Sequence, residues 1–317
     1  MRVGYLGPPG TFSEEALRAS ARGALGATAG EELVEVALPT VHAVVEAVQD
    51  GQVDRAITPI ENSLEGSVNE ALDALVHDAP DVRIVGETVL KVRYVLAARP
   101  GVALEDVRSV LSHPQALAQC AAHLRERLPA APARACTSTA EAMRLVAAGD
   151  EPWAALGSAL AADAMGLVAL ERGIGDEEVN ATRFVWLARG AAGAYDDVAG
   201  DPATCGGEGS GEADRHGGMG GLATEPGAPW KTSVVFSGDG DGHPGWLVRC
   251  LSEFAFRGVN LTRIESRPAR RRLGHYLFLV DLEGRSDLPG PAAEAIAALT
   301  GHCEDVRVLG SYPRLGA

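Results

Sequence analysis

The chain has 317 residues, of which 46% are hydrophobic and 22% charged, and its formal net charge is −15 with a pI of about 5.0. Those values suit a globular protein of roughly two or three domains. They argue against a nucleic-acid partner, which needs a basic face toward phosphate. No apolar run approaches the ~20 residues of a membrane span, and the apolar stretch at 3–6 is too short for a secretory segment. A cytoplasmic setting without a membrane partner is expected. The five cysteines (Cys120, Cys136, Cys205, Cys250, Cys303) are widely spaced and read as reduced thiols. The eight histidines form no ligating pattern, so neither a metal nor a cofactor is expected.

The predicted elements alternate strand and helix from the N-terminus. A short apolar strand at 3–6 precedes a helix that Thr11 and Glu14 open as a capping box. Strand 34–38 leads to helix 41–49, whose Val41, Val44, Val45 and Val48 recur at helical spacing before the stop at Gly51. Strand 56–60 follows. Ser67 and Glu70 then form a second capping box for a helix carrying Leu72 and Leu75. A long extended run covers 87–97. Beyond it come strand 107–111, a helix capped by Ser112 and Gln115 with Pro114 in its first turn, and a helix opened by Thr137-Ser138-Thr139 and closed by Gly149. Strand 153–156 and a helix begun by Ser158 complete the group. The alternation predicts an α/β architecture with largely parallel sheets. The extended run divides it into two lobes flanking a cleft.

At Asn180-Ala181-Thr182-Arg183-Phe184 a loop ends and a buried strand opens, holding a hydroxyl and a guanidinium at its mouth. After Gly190 the chain turns rich in Gly, Ala, Asp and Glu and loses periodicity, which predicts a flexible linker over 190–229. Arg270-Arg271-Arg272 reads as a solvated loop. The remaining chain is predicted as β-α-β-β-α-β, with strands 233–237, 260–266, 276–281 and 306–309 and helices 245–256 and 291–298. That order is the ferredoxin-like split unit.

Open α/β sheets bind ligands at strand-to-helix turns, where helix N-termini attract anions. Four turns here are dense in small polar groups: Gly7-Pro8-Pro9-Gly10-Thr11-Phe12-Ser13, Pro59-Ile60-Glu61-Asn62-Ser63 with Gly66-Ser67, Ser112-His113-Pro114-Gln115, and Gly157-Ser158. Each serine and threonine in them also reads as a helix cap. Glu61 reads either as a general acid or as a first-turn carboxylate. Side chains alternate along a strand, so Thr182 and Phe184 face one way and Arg183 the other; Arg183 reads as a carboxylate ligand or as a structural ion-pair partner.

Together the four turns and the 180–184 segment resemble the prephenate dehydratase family. Tyr5-Leu6-Gly7-Pro8-Pro9-Gly10-Thr11-Phe12-Ser13, Pro59-Ile60-Glu61-Asn62-Ser63, Ser112-His113-Pro114-Gln115-Ala116 and Thr182-Arg183-Phe184 match its motifs in order. The resemblance implies a two-lobed catalytic domain of the type II periplasmic-binding-protein kind over 1–189. Lobe 1 would span about 1–86 plus 177–189, and lobe 2 about 87–176. It also implies an ACT regulatory domain over 230–317. The implied reaction converts prephenate to phenylpyruvate, with Thr182 catalytic, Glu61 a candidate acid, and Thr11, Asn62, Ser63, Ser112, Gln115, Asn180, Arg183 and Phe184 binding substrate.

The implied effector is L-phenylalanine, held at an interface between ACT domains in a dimer or tetramer. Glu265-Ser266-Arg267-Pro268 matches one effector motif. Gly245-Trp246-Leu247-Val248 matches the other except at Trp246, where the family has alanine; the larger ring is expected to alter the phenylalanine response. Arogenate as substrate, and a non-catalytic solute-binding or sensing protein, are the competing expectations.

Overall fold

The computed structural model describes residues 1–25, 33–177, 179–190, 229–238, 243–270 and 273–314. The interior of the glycine-rich segment, Cys205, Arg271 and Arg272 lie outside the described residues.

The first sheet grows from β1 (Arg2–Leu6), β2 (Val34–Leu38), β3 (Arg55–Asn62), the two-residue β4 (Gly66–Ser67) and β5 (Val82–Lys91), with helices α1 (Phe12–Leu25), α2 (Val41–Gln49) and α3 (Asn69–Asp73) between them. In α2 the valine stripe is buried, and the Thr40 hydroxyl accepts from the Ala43 N–H at 3.0 Å, satisfying one orphan donor of the first turn. The second sheet contains β6 (Tyr94–Ala98), β7 (Ser109–Ser112), β8 (Ala133–Ala135), β9 (Trp153–Gly157) and β10 (Val168–Ile174), with α4 (Pro114–Gln119), α5 (Ala121–Arg127), α6 (Thr139–Ala148) and α7 (Ala159–Ala164). Its order is β10-β6-β9-β7-β8. The chain then returns, and β11 (Ala181–Arg189) inserts into the first sheet, giving β2-β1-β3-β11-β5 with β4 beside β3.

That return corrects the expectation of largely parallel sheets. β11 runs antiparallel to both β3 and β5, and β6 antiparallel to β9 and β10, so both sheets are mixed. The extended run at 87–97 is two strands in two sheets. The chain leaves the first sheet after Lys91 and enters the second at Tyr94, while the Val92 N–H donates to the Asn180 carbonyl at 2.8 Å. The outgoing and returning crossings therefore lie side by side.

Two predicted caps also differ. Val68 precedes α3 without a side-chain cap, because Ser67 is drawn to Glu265 and Glu70 accepts from the His42 N–H. His113, not Ser112, caps α4 through Nδ1, and the fully buried Ser112 hydroxyl donates instead to Leu156 O on β9 at 2.8 Å.

The C-terminal part contains β12 (Trp230–Ser237), α8 (Trp246–Ala255), β13 (Leu261–Pro268), β14 (Tyr276–Glu283), α9 (Pro291–Leu299) and β15 (Asp305–Pro313). Its antiparallel sheet has the order β13-β14-β12-β15, the ferredoxin-like arrangement. Strand alternation gives this sheet two apolar faces. Val234 and Phe236 pack under α8 and α9 with Trp246, Phe254 and Leu299. Val235, Leu279, Leu309 and Tyr312 turn the other way and join Ile84, Val185 and Leu187 of the first sheet in one cluster. At that junction Gly310 meets the Ile84 backbone so closely that no Cβ fits. Arg270, predicted in a solvated loop, reaches Asp73 at 3.0 Å.

Along β11 the side chains after Arg183 divide by turns between two faces. Phe184 and Trp186 enter the core beneath α1 with Val3, Tyr5, Leu17 and Ile57. Trp186 is fully buried, and its Nε1–H donates to Ser20 Oγ at 3.0 Å, so its polar end is satisfied. Val185 and Leu187 face the C-terminal sheet. This alternation puts Thr182 and Arg183 on opposite faces of one strand.

Candidate active site

Thr182 pairs in register with Asn62 of β3, and its Oγ1 accepts from Asn62 Nδ2 at 2.9 Å. The orientation of that amide is set by its other end: Asn62 Oδ1 accepts from the N–H groups of Leu64 at 2.9 Å and Glu65 at 3.1 Å. Nδ2 must therefore face Thr182 and Asn180, reaching Asn180 Oδ1 at 3.2 Å. Asn180 Nδ2 donates onward to Gln119 Oε1 at 2.8 Å, and the Tyr94 hydroxyl donates to the same oxygen at 2.8 Å. Burial first of all raises the Tyr94 pKa, so this phenol stays protonated and remains a donor.

The chain of bonds is directional. Since Asn62 donates to the Thr182 oxygen, the hydroxyl proton of Thr182 is free to point elsewhere. With both Gln119 oxygen bonds occupied, its Nε2 is turned away; it is buried and has no protein partner. Gln119, Asn180 and Tyr94 line a cavity of about 360 Å³ with Leu64, Lys91, Arg93, Ile174 and Glu177. These residues come from both sheets and from both crossings between them. The volume lies within the range of small-molecule sites, and Lys91 and Arg93 give it two cations, with Glu177 as a carboxylate and the Gln119 amide beside them. Thr182 is not itself in the wall. Asn62 and Asn180 connect it to the cavity.

Cys120 follows Gln119 but is buried. Burial pushes its thiol up to about 12, and its Sγ lies 3.8 Å from Ile174 O, so it is a protonated packing group and no nucleophile.

A family model described as prephenate dehydratase matches residues 3–192. The prephenate dehydratase of Mycolicibacterium vanbaalenii is 40% identical over 317 residues, covering 98% of this chain and 90% of the relative. The prephenate dehydratase of Mycobacterium tuberculosis is 40% identical over 314 residues, covering 99% and 87%. The chain belongs to the prephenate dehydratase family. Among solved structures, prephenate dehydratase from Arthrobacter aurescens in complex with L-Phe superposes with a TM-score of 0.77 at 35% identity, covering 99% of this chain and 90% of that one. A structure described as GqqA, a novel type of quorum-quenching acylase, superposes with a TM-score of 0.76 at 29% identity, covering 99% and 98%.

Within this family member the residues singled out in the sequence fall into two sets. Thr182, Asn62 and Asn180 stand together beside the cleft. Ser63 clamps the loop ahead of β11: its Oγ donates to Val179 O at 2.8 Å and accepts from the Ala181 N–H at 3.0 Å. Thr11 donates to Leu6 O at 2.8 Å and so holds the loop that enters α1. That loop packs on the second sheet, with Ser158 Oγ donating to Gly10 O at 2.7 Å and the Phe12 ring edge-on to Tyr94 at 5.5 Å. Gly10 sits at φ +91°, where a Cβ would press on Ala161.

Ser112 and Phe184 are buried in packing, and the Gln115 N–H receives the His113 cap. Glu61 and Arg183 lie behind the strand, with Arg183 Nε 3.1 Å from Glu61 Oε2. Glu61 thus faces away from Thr182. The residues missed from the sequence are Gln119, Tyr94, Lys91 and Arg93. Gln119 falls one helical turn after Gln115, a spacing that puts both on one face of α4 and could have flagged it.

The C-terminal motifs divide by strand alternation as well. Glu265 bonds to Ser67 of β4 and to Arg263 at 2.8 Å, and Arg267 holds both oxygens of Asp73 at 2.9 Å, whereas Ser266 and Pro268 are exposed. Gly245 opens α8 at φ +80°. Trp246 does not stand in an open pocket. Its ring is buried against Phe236 and Phe278, and its Nε1–H donates to His302 O at 2.6 Å. Leu247 packs beside it, and Val248 is exposed.

Proposed function

We propose that the cavity between the two sheets binds prephenate and that Thr182 assists departure of its ring hydroxyl. The reaction is a decarboxylating dehydration: prephenate dianion and one proton give phenylpyruvate, CO2 and water. The C–CO2 bond breaks, its electron pair enters the ring, and the C–O bond to the hydroxyl breaks as the ring becomes aromatic. No base is needed, and the hydroxyl leaves more easily with a hydrogen bond or proton from the protein. Lys91 and Arg93 are suited to the carboxylates, and Gln119 Nε2 to a substrate oxygen. The observation that carries this reading is the directed chain from Asn62 that leaves the Thr182 proton and the Gln119 amide as unspent donors.

Residues 1–189 act as the catalytic unit on this reading, and 230–317 as an ACT unit answering to L-phenylalanine. The chain works in the cytoplasm as a homo-oligomer without metal or cofactor. Among the described residues no helix is long and apolar enough to cross a membrane. The test is to incubate the full chain with prephenate, and in parallel with arogenate, and follow phenylpyruvate or phenylalanine with and without added L-phenylalanine. Prephenate should yield phenylpyruvate at the higher kcat/KM. Binding of prephenate without turnover would sink the proposal.

A further inference from the structure

Behind Thr182 lies a polar cluster that the dehydration chemistry does not use. The buried Arg183 guanidinium donates to Glu87 Oε2 at 3.0 Å and to Asp281 Oδ2 at 2.6 Å, and touches Glu61 at 3.1 Å. These three carboxylates come from β5, β14 and β3, so one side chain ties the strand of Thr182 to three others. Asp281 is buried too. Its Oδ1 accepts from Ser233 at 2.5 Å, and Arg263 lies 3.5 Å from Oδ2. Arg263 donates to Glu265, and Glu265 accepts from Ser67 on β4, which pairs with β3 at Glu61. The bonds therefore close a ring through the C-terminal sheet. It begins at Arg183 and ends at Glu61, the neighbours in sequence of Thr182 and Asn62.

We infer that Asp281, a residue of the C-terminal sheet, is a positioning residue for the reaction at Thr182, acting through Arg183; this rests on the dehydratase reading above. A buried guanidinium keeps its place only while its carboxylates balance it. Without the Asp281 charge it is drawn toward Glu61 and Glu87 on its own sheet. β11 then shifts against β3, and the Thr182 hydroxyl moves with it. A displacement of about 1 Å at a reacting group costs on the order of 10²-fold in rate. Lys91, Arg93 and Gln119 are not part of this ring, so substrate binding is left intact.

The experiment compares full-length wild type, Asp281→Asn and Arg307→Met in steady-state assays with prephenate, each checked for a cooperative thermal melt. Arg307 also crosses from the C-terminal sheet, donating to Leu75 O, but far from Arg183 in the hydrogen-bond pattern. Asp281→Asn is expected to lower kcat about 10- to 100-fold with KM within about twofold of wild type, and Arg307→Met to leave both unchanged. Asp281→Glu keeps the charge but moves it. It carries the same expectation and the same refutation should the asparagine variant not fold, and failure of both to fold makes Asp281 purely structural and overturns the inference. It is equally overturned if a folded Asp281 variant keeps kcat within twofold, or if Arg307→Met loses kcat to the same extent. A wild-type chain that forms no phenylpyruvate sinks the dehydratase reading itself; an active wild type with an equally active Asp281 variant sinks only this one.

Discussion

The two faces of β11 carry polar clusters of opposite character. Ahead of the strand, Thr182, Asn62, Asn180, Gln119 and Tyr94 are neutral, and their bonds run in one direction, leaving the Thr182 hydroxyl proton and the amide of the cavity-lining Gln119 unpaired. Behind it, Arg183, Lys231 and Arg263 face Glu61, Glu87 and Asp281, and charge is balanced within the protein. A buried donor without a partner costs about 1–3 kcal/mol, so such groups persist where a ligand uses them. The charges of the second cluster face one another and not the cavity. That cluster serves instead to join strands from separate sheets.

The largest effect expected from breaking the neutral side is at Thr182. Thr182→Ala should lower kcat about 10²- to 10⁴-fold, or about 3–5 kcal/mol of barrier, with the melting temperature little changed. Phenylpyruvate formation at saturating prephenate measures it, and activity within threefold of wild type would remove Thr182 from the chemistry.

On the other side, Gly310→Ala drives a methyl group into the Ile84 backbone and should separate the C-terminal sheet from β5. Overpacking ordinarily costs about 1–3 kcal/mol, and backbone here cannot yield as a side chain does, so a loss of about 3 kcal/mol in urea unfolding is expected. An unchanged midpoint would mean that the junction is not held as described.

Gln119→Met replaces the amide with a similar volume and sharpens the contrast. Hydrogen bonds to charged groups contribute about 1.5–3 kcal/mol, so kcat/KM should fall roughly 10- to 150-fold. Equal kcat/KM in the two proteins would show that the unpaired Nε2 meets no substrate atom.

The smallest effect concerns Asp73. Burial opposes its charge, but the bonds from Arg267 and Arg270 outweigh it and hold its carboxyl below the usual range. A depressed folded pKa gives stability that is complete above the ordinary carboxylate range and is lost as pH falls through the folded value. Asp73→Asn should therefore cost about 1 kcal/mol at pH 7, and the difference from wild type should close as the pH falls beneath the ordinary carboxylate range. A gap independent of pH in paired urea titrations would show that charge is not its source.

Much of this was legible in the residues. The valine stripe of α2, the Ser138 and Ser158 caps, the βαββαβ order and the motif strings all act locally, through periodicity, capping or spacing, and local physics is written along the chain. The same alternation rule separated Thr182 from Arg183 before any fold was known. What local patterns could not carry was partnership. Ser67 and Ser112 have the chemistry of caps, yet one is taken by Glu265 and the other by Leu156 O, because a nearer or better-buried acceptor arrives from elsewhere in the chain. The Trp246 motif position was legible, but not the direction of its ring, since packing against Phe236 and Phe278 decides which way a helix-start side chain turns.

By itself, then, the amino-acid order determined most of the elements, though not α5, β8 or β10, together with the family and the strand-borne hydroxyl. Only the tertiary structure decided that Gln119 of α4 meets Tyr94 of β6 and Asn180 ahead of β11, and that Arg183 meets Asp281 across 98 residues of sequence. The reason is that a hydrogen bond or ion pair needs two groups within about 3 Å, and for groups far apart in the chain that distance is set by how sheets dock.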